Sequence, residues 1–303
     1  MAITIEKVKY KGWLNCFRVS NGDVELILTG DIGPRIMRFG FAGGQNLLKE
    51  FEQQMGCSGE PEWVPRGGHR LWIAPENRVK SYAPDNGPVD VRIVGDVLEA
   101  TEPVEALTGI EKKIAVRMSE TGSVEVIHTL RNANASAYDL APWSLTMMAP
   151  GGRGIHGFPP RSTHPEMLAP VNPLVMWAFS DLSDPRWTLL RKYLVLRQDP
   201  ANAVPQKLGS YHAATWGAYA LKGELFVKRY QAIAPASAYP DLGCTFETFT
   251  DRDFLELETL GPITRLAPGE SVTHVEQWSL HRDVRIEEWT DEGLDHALGS
   301  VIG

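Results

Sequence analysis

The chain predicts an all-β fold: a large antiparallel sandwich or barrel with few short helices. Three observations predict it. Apolar residues recur with a period of two along most of the 303 residues. Strand-length runs return roughly every 8–12 residues, with Gly, Pro, Asn or Asp between them. The composition holds 28 Gly and 21 Pro, which suits many turns and few helices. No Ser/Gly-rich linker, charge block or internal repeat interrupts this rhythm, so residues 1–303 read as one domain.

The elements follow in order. Met1 to Tyr10 alternates and carries charge. It has no apolar core of the kind a secretory signal needs. Asn21-Gly22 is a type I′ turn signal joining Trp13–Ser20 to Asp23–Thr29. Arg70 to Ala74 is a short strand between Gly67-Gly68 and Pro75. Lys112–Met118 and Val124–Leu130 form a second hairpin across Glu120-Thr121-Gly122. Leu140–Pro150 reads as a buried strand feeding a Pro/Gly-rich loop, Pro150–Pro173, long enough to act as a lid or covering arm. Thr215–Leu221 and Glu224–Gln231 turn through Lys222-Gly223. Phe254–Thr259 and Val272–Leu280 read as the last strand pair. The tail, Asp291–Leu298, is a helix with Thr290 as N-cap.

Composition narrows the partners. The net charge of −8 argues against nucleic acid and anionic membrane, which need a basic footprint. No apolar run approaches the ~18 residues of a membrane span. Cys16, Cys57 and Cys244 are odd in number and widely spaced, which suggests a reducing, cytoplasmic setting without a disulfide framework. No HExxH, C-x-x-C or dense His/Asp cluster is present, so neither a metal nor another cofactor is expected.

The chemistry concentrates in Arg66-Gly67-Gly68-His69-Arg70-Leu71-Trp72-Ile73-Ala74-Pro75-Glu76. Planar cations (Arg66, Arg70), an imidazole (His69), an indole (Trp72) and a carboxylate (Glu76) suit the grip on a polyhydroxylated ring. The same residues also suit a core tryptophan with a structural Arg70–Glu76 ion pair. In Phe254–Thr259, alternation puts Leu255 and Leu257 on one face, Glu256 and Glu258 on the other. Two carboxylates about 7 Å apart suit general base chemistry, or an exposed strand face. His274 and Glu276 share a face with Trp278, either lining a cleft or making a structural contact. Trp143 is a core residue or a sugar platform.

Three stretches resemble the galactose mutarotase-like superfamily, the aldose 1-epimerase β-supersandwich. They are Gly33-Pro34-Arg35-Ile36 with Gly44-Gln45-Asn46-Leu47-Leu48, then Arg66-Gly67-Gly68, then Leu257-Glu258-Thr259 with Pro268-Gly269-Glu270. The resemblance implies Glu258 as the base that takes the anomeric hydroxyl proton and Arg66 at the polar end of a sugar site. One departure matters. The run Ser144-Leu145-Thr146-Met147-Met148 is similar to the segment that carries the family's acid, and Met148 stands where its histidine belongs. A thioether donates no proton. His69, or His156 in the long loop, is left to supply it. The 66–76 cluster itself looks more like an uncharacterised bacterial branch.

The expected function is therefore binding of a small sugar or sugar phosphate, with altered chemistry at the site. Substrate contacts are expected from Arg66, Arg70, Trp72, Glu76, Trp143, Glu256 and His274. One alternative is an aldose or hexose-phosphate mutarotase using Glu258 and His69. A second is a relative of polysaccharide lyases or hydrolases. Oligomeric state is not legible in the chain.

Overall fold

Alternating side chains make half-buried strands, and the computed structural model, which describes residues 2–212 and 214–302, is built almost wholly from them. In chain order the strands are β1 (Thr4–Tyr10), β2 (Trp13–Ser20), β3 (Val24–Thr29), β4 (Arg35–Phe41), β5 (His69–Ala74), β6 (Asp90–Val94) and β7 (Val97–Thr101). Next come β8 (Ile110–Met118), β9 (Val124–Asn132), β10 (Tyr138–Met148), β11 (Arg153–Gly157), β12 (Leu174–Met176), β13 (Trp187–Leu189) and β14 (Tyr193–Arg197). The last are β15 (Gln206–Ser210), β16 (Ala214–Leu221), β17 (Glu224–Gln231), β18 (Phe246–Thr250), β19 (Leu255–Leu260), β20 (Thr264–Leu266) and β21 (Ser271–His281), followed by α1 (Asp291–Ile302).

They form two antiparallel sheets. One runs β1-β2-β3-β4-β5-β10-β19-β18-β15-β12, with β20 also paired to β10. The other runs β13-β14-β11-β16-β17-β21-β9-β8-β7-β6. The large core lies between them. Leu71, Ile73, Leu255 and Leu257 of the first sheet meet Val126, Leu130, Phe226 and Trp278 of the second. Each buried side chain of this size contributes about 1.5–3 kcal/mol.

The hairpins at Asn21-Gly22, Glu120–Gly122 and Lys222-Gly223 form in the expected places. Two readings are corrected. Phe254–Thr259 and Val272–Leu280 do not pair with each other. β19 lies in the first sheet between β10 and β18, and β21 lies in the second between β17 and β9. Gly261 to Gly269 therefore carries the chain from one layer to the other. Pro150–Pro173 is not loop throughout, because β11 falls inside it and pairs with β14 and β16. The helix begins at the expected cap, with Gly293 N–H donating to Thr290 Oγ1 at 3.1 Å, but continues to Ile302.

The turn before β5 is built by close approach. Arg66, Gly67 and Gly68 all have positive φ, at 53°, 94° and 73°. A Cβ on Gly67 would sit 2.0 Å from the Lys49 carbonyl, and one on Gly68 would sit 2.4 Å from that of Ile36. Only glycine fits there. Arg35 Nη1 clamps this turn by donating to the carbonyls of Pro65 (2.6 Å) and Gly67 (2.9 Å). β5 enters the sheet from that anchored point.

Candidate functional site

Strand alternation splits the residues of β5, β10 and β19 between two faces of one sheet. Facing the second sheet are His69, Leu71 and Ile73, then Ser144, Thr146 and Met148, then Leu255, Leu257 and Thr259. Facing away are Arg70 and Trp72, then Trp143, Leu145 and Met147, then Glu256 and Glu258.

Register then builds rows across the outer face. Arg35, Arg70, Leu145, Glu258, Glu247 and Gly209 stand side by side on successive strands. Met147, Glu256, Phe249 and Lys207 form the next row. Trp72 and Trp143 are also cross-strand partners.

A cleft of about 520 Å³ opens over this face. Its walls are aromatic: Trp63, Trp72, Tyr82, Trp143 and Trp177. Edge-on contacts hold the Trp63, Trp72, Tyr82 and Trp143 rings at centroid distances of 5.1–5.6 Å. Two cations lie among them. Arg70 is 4.2 Å from the Trp72 ring and 4.9 Å from Trp63. Lys207 is 4.9 Å from Trp143 and 4.7 Å from Trp177. Cation–π attraction is strongest in a desolvated setting such as this.

Three carboxylates answer the two cations. Lys207 Nζ lies 2.7 Å from Glu247 and 2.9 Å from Glu258 Oε2, which also accepts from Trp143 Nε1 at 2.8 Å. Glu256 has only Arg70 Nη2, at 3.5 Å. Burial, and next the charge of Glu258, push the Glu256 carboxyl up to about 8, against the pull of Arg70. Burial pushes Glu247 well above the usual carboxylate range, with Lys207 opposing and Glu258 adding to the rise. Burial works against the Lys207 ammonium, but Glu247 and Glu258 outweigh it and hold the lysine above its ordinary value. At neutral pH the wall therefore holds a protonated carboxylic acid, Glu256, facing the cleft.

The expected site residues divide. Arg70, Trp72, Trp143, Glu256 and, at the exposed rim, Glu76 come together in the cleft. Glu76 accepts from Tyr82 O–H at 2.7 Å rather than pairing with Arg70. Glu258 is fully buried just beneath, behind Trp143 and Lys207.

Three expectations are corrected by position. His69 lies on the opposite face from Arg70, as adjacent residues of a strand must. It is sealed between the sheets, with Nδ1 2.8 Å from Thr146 Oγ1 and Nε2 2.7 Å from His128 Nε2. Burial holds its pKa well below the ordinary value. His274 lies in the same layer, 2.7 Å from Thr259 Oγ1, with burial lowering it to about 3. Arg66 is fully buried behind the turn. It ties together the loops around Gln54, Glu60 and Asn86 and does not reach the cleft.

Two further positions bear on the missing acid. His156 is enclosed by Ser210, the Trp216 carbonyl and a stacked Phe246 ring, outside the cleft. Met148 points into the core, so the cleft-facing residue at that strand end is Met147.

The ligand atoms of His69, His128 and Glu276 lie within 4.8 Å of one another, which is metal-site spacing. The donor set does not suit a metal, because its carboxylate is already committed. Glu276 Oε1 accepts from Lys228 Nζ (2.8 Å), Ser144 Oγ (2.5 Å) and Thr259, and Oε2 accepts from Trp278 Nε1 (2.7 Å). The Lys228 ammonium supplies the positive charge there.

Sequence reasoning missed Lys207, Glu247, Trp63, Tyr82 and Trp177. The first two sit on strands that reach the cleft only through cross-strand register. The three aromatics arrive on irregular segments, and aromatic character was their one signal.

No family model matches the chain, and no curated protein matches it. Solved structures do. A galactose mutarotase-like protein from Lactobacillus casei ATCC 334 is 10% identical, with a TM-score of 0.58 over 88% of this chain and 100% of its own. A galactose mutarotase related enzyme from Lactobacillus acidophilus is 9% identical, with a TM-score of 0.57 over 91% of this chain and 98% of its own. A galactose mutarotase-like protein from Clostridium acetobutylicum is 10% identical, with a TM-score of 0.53 over 92% and 99%. This chain shares their fold.

Proposed function

From that shared fold, we propose that the protein binds a pyranose sugar in the cleft over β5, β10 and β19. One observation carries the reading: an aromatic cleft whose two cations are each held between indole rings, beside a cleft-facing carboxyl. A pyranose has apolar C–H faces and a polar rim of hydroxyls. Indoles take the faces, and Arg70 and Glu256 can take the rim. The volume of about 520 Å³ suits one or two sugar rings. Free Cys16, Cys57 and Cys244 support a reducing, cytoplasmic setting. Among the described residues no helix is long and apolar enough to cross a membrane.

A second reading has its own support. Glu256 holds a proton at neutral pH, and Glu258, two residues along the same face, is braced by Lys207 and Trp143. Such a pair could open a sugar ring. Glu256 would give its proton to the ring oxygen, Glu258 would take the anomeric hydroxyl proton, the C1–O bond of the ring would break and a C1 carbonyl would form. Ring closure on the other face returns both protons. Glu256 would then replace the acid that His69 cannot supply. Glu258 does not line the cleft, which is why binding stands first.

Titration calorimetry with hexoses and their derivatives, alongside polarimetry on fresh α-glucose and α-galactose, tests both. Saturable binding with no rate above buffer supports the binding reading alone. No heat from any sugar sinks it.

A further inference from the structure

The sugar-binding reading can be narrowed by an inventory of buried cations. Arg35 has Asp85, Arg38 has Glu25 at 2.7 Å, Arg66 has Glu60 and Lys112 has Glu105. Arg186 has Asp184 at 2.8 Å, Lys207 has Glu247 at 2.7 Å and Lys228 has Glu276 at 2.8 Å. Among the described residues, Arg70 is the buried cation whose nearest carboxylate stands off, at 3.5 Å. Its Nε and Nη1 have no hydrogen-bond partner. It is only 3% exposed, yet it lines the cleft. Trp63 and Trp72 cover the guanidinium, which leaves its edge to make hydrogen bonds. Trp63 Nε1, also at the cleft, is a third donor without an acceptor. A buried ionised group without a partner is costly, and an anionic oxygen pair at that edge would offset the cost.

Resting on the sugar-binding reading, we propose that the ligand is a sugar acid, a hexuronate, whose carboxylate pairs with the open edge of Arg70 while its ring lies against the indoles. Charge and shape select a carboxylate over a phosphate. A planar anion of one charge matches one planar guanidinium. A phosphate dianion would set two charges against that single cation, with Lys207 already committed to Glu247 and Glu258. It would also pass Glu76, Asp251 and Asp253 at the rim. These rim acids oppose any anion, but water screens them, whereas Arg70 acts in a desolvated wall. Burial pulls the Arg70 guanidinium down to about 10, so it remains charged at neutral pH.

The groups acting on Glu256 are Arg70 from β5, Glu258 from its own strand, Lys207 from β15 and Asp251 beyond β18. While Glu256 keeps its proton, it does not compete for Arg70. Above about pH 8 it ionises and does.

The test is titration calorimetry at pH 6.5 with glucuronate, galacturonate and mannuronate, their neutral parent hexoses, and glucose 6-phosphate. At least one uronate should bind ten-fold or more tightly than its parent. That preference should fall several-fold at pH 9. Arg70→Gln should abolish it, and Arg70→Lys should restore it only in part. The wild-type ranking decides even if the variants do not fold. Neutral hexoses binding as tightly as uronates, or the phosphate binding best, would overturn the sugar-acid proposal and leave the sugar site standing. Absence of binding by every sugar would remove both.

Discussion

The two faces of the β5–β10–β19 sheet bury polar groups in opposite ways. On the inner face, His69, Thr146, His128, Ser144, Thr259, His274, Glu276 and Lys228 join one network. None of their side-chain polar atoms is among the buried atoms without a partner. On the outer face, Arg70 Nε and Nη1, Trp63 Nε1 and Glu258 Oε1 have none. Both faces look functional by residue type, and the inner one even has metal-site spacing. The difference teaches that a buried polar cluster marks a site when its hydrogen bonds are incomplete. Completed bonds mark structure.

The comparison is broken or sharpened by substitution. The largest effect belongs to the inner face. Glu276→Ala strips Lys228 of its counter-charge inside the core, and about 3–5 kcal/mol of stability should disappear in chemical denaturation. A loss under about 1 kcal/mol would mean that the network is not the structural element described here.

Next comes the pH response of the outer face. The Glu256 carboxyl is raised to about 8 in the folded chain against an ordinary value of 4.5. Between those values the folded state binds a proton that the unfolded state has released. Stability contributed by this group is therefore present at low pH and lost as pH rises from about 4.5 to 8. The slope is on the order of 1.4 kcal/mol per pH unit at most, since partial exposure and relaxation reduce it. Glu102, also raised to about 8 by burial, adds a slope of the same sign. Glu256→Gln should flatten the curve partway in urea titrations across that range. If Glu256 also acts as the acid, the substitution should abolish any mutarotation seen by polarimetry. An unchanged stability slope would show that Glu256 is ionised throughout.

The smallest stability effect is expected at Arg70. Replacing a buried cation that lacks a close partner with an apolar chain of similar length is commonly neutral or stabilising. Arg70→Met should therefore shift the unfolding free energy by no more than about 1 kcal/mol, in either direction, while removing ligand binding. A loss of several kcal/mol would place Arg70 with the structural cations.

Much of the fold was legible in the chain. Alternation identified the strands, and Asn21-Gly22, Gly122 and Lys222-Gly223 placed their turns. The faces of β19 and β21 also followed, with Leu255 and Leu257 buried opposite Glu256 and Glu258. The same rule contained the answer for His69. A residue next to Arg70 on a strand cannot share its face, so the two could not have gripped one ligand. The cluster at 66–76 looked like a unit because its residues are close in sequence, whereas a strand sends neighbours to opposite sides.

The sequence by itself determined which side chains share a face, because a strand's period of two is a local property of the backbone. Only the tertiary structure decided which strands lie side by side. Lys207 meets Glu258 across 51 positions, and Arg70 meets Glu256 across 186. Those pairings depend on register and layer order, which are set by the packing of two whole sheets against one core rather than by any short run of residues.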